Sequence, residues 1–420
     1  MGMPAAGLIE ATDALAEPSS ADILPPGGPR RRYHLLMYLA LALAGVTVLA
    51  AAAGVAWSRR STHHGPPPPS LPVVTVDPPD GATGIRPDAK VTVQANRGRL
   101  ASVHVVDSGG NEVAGTLAPL GRSWTSTGTL YLARGYQVTA EVAGVNKKRL
   151  VVRTSEFSTI RPAGLLGAQI SPGDNETVGV GQPIIIRFHS PVANRSAITP
   201  LLTVSMSQPV DGAWHWFGPK EVHYRPQNYW PAGEQISVVA PLTNVDAGNN
   251  IWGEADRSVK FKIGDTHVST VDTNSHTMTV TDNGAVVRTL PISAGRDKYP
   301  TMSGVHVTLG KSYHVLMDSA TVGIPVNSPD GYHEDVYWNV AVTDGGEYVH
   351  AAPWSVGAQG NRNVSHGCVN LSPSDATWFY NFSLTGDIVN IVGSPRGPSA
   401  TDPGTMDWNM PWSQWVQPPV

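Results

Sequence analysis

The chain has 420 residues, a formal net charge of −4 and 41% hydrophobic residues. That apolar content supports packed cores and excludes a disordered chain. The folded part carries no basic block, so nucleic-acid binding has no electrostatic support and no nucleic-acid partner is expected. With 43 glycines, 36 prolines and few long helical patterns, the composition favours a mainly β chain of short strands and frequent turns.

Residues 1–34 are polar and proline-containing and read as a disordered cytoplasmic tail. Residues 35–57 carry no charge and are long enough to cross a bilayer core of ~30 Å as a helix. Arg30, Arg31 and Arg32 precede this run, and Arg59 and Arg60 follow it, a weak positive-inside bias. Ala51-Ala52-Ala53 offers a rival cleavage site. The leader and the apolar run are both longer than a signal peptide has, so an uncleaved single-pass membrane anchor is expected. The rest of the chain would then lie outside the cytoplasm. Residues 58–72 form a spacer, in which Pro66–Pro69 favour extended polyproline II. His63 and His64 read as solvated linker rather than a metal site.

Two modules follow, residues 73–162 and 163–264, that look like distant copies. Asp77-Pro78-Pro79-Asp80-Gly81 opens the first and Ser171-Pro172-Gly173-Asp174-Asn175 the second. Val91-Thr92-Val93 matches Ile184-Ile185-Ile186, and Gln137–Val142 matches Gln235–Val239; Phe157 and Phe261 sit on the closing strands. A period of about one hundred residues with period-two alternation reads as a β-sandwich of immunoglobulin type. The cysteine pair usual in such domains is missing.

The third block spans 265–395. Thr277–Val280, Val286-Val287 and Val305–Leu309 read as strands. The spacing predicts a helix from Pro373, with Ser372 as N-cap, Asp375 in the first turn, and Ala376, Phe379 and Tyr380 on its apolar face. The tail, 396–420, carries Trp408, Trp412 and Trp415, which share one side if helical and read as a docking segment.

Chemistry concentrates near Cys368, the single cysteine, in Ser365-His366-Gly367-Cys368-Val369-Asn370, with His350 upstream. A lone cysteine excludes an intramolecular disulfide. A cysteine flanked by histidines in a polar, glycine-containing loop matches nucleophilic catalysis; the alternatives are a buried small core residue or a metal ligand. His350, His366 and Cys368 could supply three zinc ligands, but no fourth ligand or compact spacing accompanies them, so no metal and no cofactor is expected.

The run His350-Ala-Ala-Pro-Trp-Ser-Val-Gly-Ala-Gln-Gly-Asn-Arg-Asn-Val-Ser-His-Gly-Cys-Val-Asn370 resembles the signature of the L,D-transpeptidase (YkuD-type) family. Met317–Pro325 and Gly331-Tyr332 resemble that family's substrate-capping loop. With the two preceding modules, the chain is similar to mycobacterial membrane-anchored members. Ala351 stands where relatives usually carry glycine or serine.

The resemblance implies a cysteine acyltransferase that forms 3→3 peptidoglycan crosslinks. Cys368 would be the nucleophile and His350 its proton acceptor or ion-pair partner. Main-chain N–H groups near Gly367 and Cys368 would hold the oxyanion. Ser365 and Asn370 would order the loop, and His366 would orient Ser365 or the substrate, or simply stack. Tyr332, Met317, Trp354, Asn370 and Ala351 would bound the substrate site, with a packed core tryptophan the equal alternative for Trp354. The implied partners are donor and acceptor stem peptides and β-lactams of carbapenem type. Two other readings remain at this point: an L,D-carboxypeptidase or endopeptidase using the same cysteine, and a non-catalytic wall-binding protein.

Overall fold

The structure, a computed structural model, describes residues 73–143 and 150–417. The expected tail, anchor and spacer lie outside the described residues. Among the described residues no helix is long and apolar enough to cross a membrane. The mainly β expectation holds: among the described residues short strands dominate and the longest helix has ten residues.

The first module packs two four-stranded sheets. One orders Val73–Asp77, Thr92–Asn96, Ser123–Ser126 and Gly115–Leu117. The other orders Ala82–Ile85, Leu150–Thr159, Gly135–Ala143 and Arg99–Asp107. Alternation drives the packing: Tyr136, Val138, Ala140 and Val142 are buried, while the residues between them are not.

The second module repeats this arrangement strand for strand. Ala168–Ser171, Ile184–Phe188, Glu221–Pro226 and Gly212–Trp216 form one sheet. Thr177–Val178, Arg257–Ile263, Gln235–Ala240 and Thr203–Met206 form the other. In both modules the second strand pairs in parallel with the last. Arg86 joins the modules, with Nη1 3.0 Å from Asp246 Oδ2 and its guanidinium 5.0 Å from the Trp252 ring.

The third block has a five-stranded sheet: Ala285–Pro291, Thr277–Asp282, His267–Asp272, Ile388–Val392 and Gly304–Val307. A four-stranded sheet follows: Gly310–Asp318, His333–Ala341, Tyr348–Ala351 and Val369–Leu371. Their apolar faces share a core with the helix Pro373–Phe382, which buries Ala376 and Phe379. The N-cap is as the sequence predicts, Ser372 Oγ accepting from Asp375 N–H at 3.2 Å.

This block is bonded to the second module directly. Gly179 and Gly181 N–H donate to the carbonyls of Thr385 and Gly386, each at 2.8 Å. A β-carbon on Gly179 would fall 2.3 Å from Asp387 N, so glycine is required there. Val307 and Ile388 extend the second module's core across the junction.

The tail docks on the second module as two short helices, Met406–Asn409 and Trp412–Trp415, rather than one continuous stripe. Pro411 intervenes and cannot continue a helix. Even so, the guanidinium of Arg225 lies 4.8, 5.2 and 4.4 Å from the rings of Trp408, Trp412 and Trp415. Trp408 and Trp415 donate from Nε1 to the carbonyls of Gly181 and Ala213. The fully buried His223 ring lies between Asp407 (2.8 Å) and Glu221 (2.7 Å).

Candidate active site

Strands Tyr348–Ala351 and Val369–Leu371 run parallel, with His350 opposite Asn370. Successive strand side chains point to opposite faces. Val349, Ala351, Val369 and Leu371 therefore enter the core, at most 5% exposed. Tyr348, His350, Cys368 and Asn370 are left on the other face. The alternation in Tyr-Val-His-Ala and Cys-Val-Asn-Leu thus sets the nucleophile beside the histidine. That face opens into a cavity of about 240 Å³. Cys368, His350, Ser365, His366, Asn370, Trp354, Tyr332 and Met317 all line it, together with Gly331, Glu334, Val336 and Val364.

His350 is 3% exposed, and burial pushes its imidazole down to about 4. Its Nδ1 lies 2.9 Å from the Ala351 carbonyl. A carbonyl only accepts, so Nδ1 carries the hydrogen and Nε2 is left as the basic nitrogen. Ala351 itself is buried and absent from the cavity lining. Its expected place in the substrate wall is corrected: it acts through its carbonyl, which its methyl side chain does not alter.

Cys368 Sγ accepts from Tyr348 N–H at 3.4 Å. Burial raises the thiol to about 12, and the nearby Glu347 charge adds to the rise. The resting pair is therefore a neutral thiol and a neutral imidazole. Of the two options the sequence left open, proton acceptor or ion-pair partner, the electrostatics favour the acceptor.

The Ser365 hydroxyl spans the loop. It donates to the Cys368 carbonyl at 2.6 Å and accepts from Gly367 N–H at 3.1 Å. Gly367 N–H is thus occupied, a correction to the expected oxyanion pair. The glycine is needed for another reason: its φ is +136°, and a β-carbon there would meet the Glu347 carboxylate at 3.1 Å. Asn370 Nδ2 donates to Ser355 Oγ at 3.1 Å, while its buried Oδ1 has no hydrogen-bond partner among the described residues.

Met317 is a strand residue paired with Glu334, not a residue of the capping loop. The connection is 319–332, and Tyr332 closes it. Trp354 is 52% exposed, with its ring 6.1 Å from that of His350, so it is not a packed core residue.

The His366 ring is tilted against those of Tyr299 (centroids 5.0 Å apart) and Tyr332 (4.8 Å). Its Nε2 lies 2.7 Å from Arg296 Nη2, and a guanidinium only donates, so Nε2 accepts. Burial first, and then the Arg296 charge, lower its pKa.

Two features escaped the sequence reading. Glu347, buried and ion-paired with Arg396, accepts from Met302 N–H and lies against Gly367. Asp330, on the capping loop, receives Arg296 and Lys298 at 2.5 Å each and Tyr299 Oη at 3.2 Å. No motif marks either; they are single charges in glycine- and proline-rich turns. Away from the cavity, ligand atoms of Asp265, His267 and Asp282 lie within 4.8 Å of one another.

Residues 82–246 match the bacterial Ig domain family, and residues 266–391 match the L,D-transpeptidase catalytic domain family, YkuD. The chain is 41% identical to L,D-transpeptidase 2 of Mycobacterium tuberculosis, over 82% of this chain and 84% of that protein. It is 32% identical to L,D-transpeptidase 5 of the same species, over 93% and 85%. A solved L,D-transpeptidase from Mycobacterium smegmatis shares 36% identity, covering 54% of this chain and 99% of that one, with a TM-score of 0.47. A catalytic-type cysteine and histidine on one face of paired strands, joined to the identity with L,D-transpeptidases 2 and 5 along most of the chain, show that the protein belongs to the L,D-transpeptidase family and is a transpeptidase enzyme.

Proposed function

We propose that the enzyme forms 3→3 crosslinks in peptidoglycan through a thioester on Cys368. The observation that carries this reading is the placement of Cys368 and His350 on one cavity face, with His350 Nε2 free to accept a proton.

His350 Nε2 takes the thiol proton as Sγ attacks the carbonyl of the third residue, meso-diaminopimelate, of a tetrapeptide donor stem. The developing oxyanion is met by main-chain N–H; with Gly367 occupied, the Cys368 N–H is the donor left from the expected pair. Collapse breaks the amide, and the proton on Nε2 passes to the departing D-alanine amine. A side-chain amine of an acceptor stem then attacks the thioester, gives its proton to His350, and regenerates the thiol. Met317, Tyr332, Trp354 and Asn370 bound the donor; Ser365 and His366 hold the loop that carries Cys368.

A carbapenem presents a strained carbonyl to the same sulfur. One relative's structure is of a complex with imipenem, which supports this partner. Residues 35–57 would anchor the chain in the cell membrane, with the two immunoglobulin-type modules carrying the site outward to the wall.

The test is incubation of the full chain in detergent with a disaccharide-tetrapeptide, followed by mass spectrometry. Crosslinked dimer with released D-alanine supports the reading. Tripeptide alone would mean that water resolves the thioester and that the enzyme is a carboxypeptidase. No turnover would remove the peptidoglycan assignment.

A further inference from the structure

The strands Gly310–Asp318 and His333–Ala341 form one wall of the cavity and then continue past it as an antiparallel ribbon. At the cavity end the rungs include Met317–Glu334 and Val315–Val336, and Met317, Glu334 and Val336 face the cavity. The next rung is His314–Tyr337. An aromatic row begins there. Tyr337 lies 5.5 Å from Tyr313, Tyr313 lies 4.8 Å from Trp338, and Trp338 lies 5.3 Å from Tyr380 on the helix Pro373–Phe382.

The row is open to solvent: Tyr313 is 57% and Tyr337 42% exposed. The backbone beneath it is irregular. Trp338 has a φ of +58°, a left-handed value that is an outlier for a bulky aromatic residue. The ladder pairs Ser312–Asn339 and His314–Tyr337 but skips Tyr313–Trp338 between them. In a regular strand Tyr337 and Trp338 would point to opposite faces; here both touch Tyr313. Strain of this kind persists where the surroundings enforce it, and it clusters at ligand sites.

We infer that this row is a platform for the glycan strand that carries the donor stem. The inference rests on the peptidoglycan reading of the activity. Three observations support it. The first is chemical: pyranose rings present C–H faces that pack on the electron-rich faces of aromatic rings. Polar groups for sugar hydroxyls flank the row, in the His314–Asp335 pair at 2.6 Å and in Lys311, whose Nζ lies 5.1 Å from the Tyr380 ring.

The second is reach. The backbone of three stem residues and the lactyl link separate the reacting carbonyl from the sugar, up to about 15 Å when extended. Tyr313 lies four residues along the strand from Met317, about 13 Å at strand rise. The third is continuity: Met317 lines the cavity, and Tyr313, four positions back along the same strand, falls on the same face by alternation, so a stem leaving the cavity along this ribbon brings its sugar onto the row.

The test compares two donors with the full chain in detergent: the free tetrapeptide and the same tetrapeptide on its disaccharide. The wild type should show the lower KM for the disaccharide form. Combined Tyr313→Ala and Tyr337→Ala should raise that KM by about tenfold, toward the free-peptide value, as expected for losing aromatic stacking. Free-peptide kinetics and kcat on both donors should stay unchanged, which also shows that the variant is folded. Tyr337→Phe should retain the lower KM, because the ring face is kept. Equal KM values for both donors in the wild type, or an equal rise for both in the variant, would overturn the platform while leaving the transpeptidase reading intact. Turnover of neither donor would remove both.

Discussion

Nδ1 of His350 donates to the carbonyl of Ala351 at 2.9 Å, and this one bond decides which nitrogen serves the cysteine. With Nδ1 committed, Nε2 stays basic, and burial keeps the ring neutral down to about pH 4. The thiol, raised to about 12 by burial, stays protonated at rest. Iodoacetamide alkylation of Cys368 should therefore be slow at neutral pH and rise about tenfold per pH unit through the alkaline range. A rate plateau near neutrality would mean a preformed ion pair instead. Replacing His350 with alanine should cost ~10²–10⁴ in turnover, the range for losing general acid–base help.

Because Cys368 is the single thiol, a carbapenem should add one adduct per chain, read by intact-protein mass spectrometry. Cys368→Ala should abolish both the adduct and crosslinking, with an unchanged melting temperature. An adduct that survives the substitution would place acylation on another residue.

Trp415 is fully buried and donates from Nε1 to the Ala213 carbonyl at 2.9 Å. Trp415→Ala should destabilise the full chain by about 3–5 kcal/mol, the usual cost of truncating a buried tryptophan. Thermal unfolding checks this; an unchanged melting temperature would show that the tail contributes nothing to stability.

His223 gives a pH dependence. Burial alone would lower its pKa, but Asp407 and Glu221 outweigh burial and the net direction is up. The folded state thus holds this proton more tightly than the unfolded chain does. The resulting stabilisation is complete below the ordinary histidine value, ~6.5, and is lost as pH rises through the raised one. The melting-temperature advantage of the wild type over His223→Gln should shrink on going from neutral to alkaline buffer. A constant difference would show that the ring is neutral throughout.

What the sequence made legible follows from periodicity and motif. Alternation located Gln137–Val142 and Gln235–Val239 as strands, since period-two burial is written into the residues themselves. Ser372, Pro373 and Asp375 announced their helix by the chemistry of its first turn. The pairing of Cys368 with His350 was legible through the motif that contains both. Met317 was misplaced because the hydrophobic run that ends its strand reads directly into the loop. The engagement of Gly367 N–H by Ser365 depends on a loop geometry with no sequence code. Asp330, Arg296 and Glu347 went unread because each meets its partners across the fold, where local pattern carries no information.

The docking of the tail has a consequence for biosynthesis. Trp408 bonds to Gly181 across 227 positions and Trp415 to Ala213 across 202, so the junction between the second module and the catalytic block is completed by residues translated long after the module's own strands. Domains generally fold as they emerge, N-terminal first. The second module can therefore fold early, but it waits with Arg225 and His223 uncovered until Asp407, Trp408, Trp412 and Trp415 arrive. A chain that stops before Pro411 loses Trp412 and Trp415 while retaining Cys368 and His350. Such a fragment would keep every reactive group and lack the closing seam, so the docked segment records that translation has passed the catalytic block.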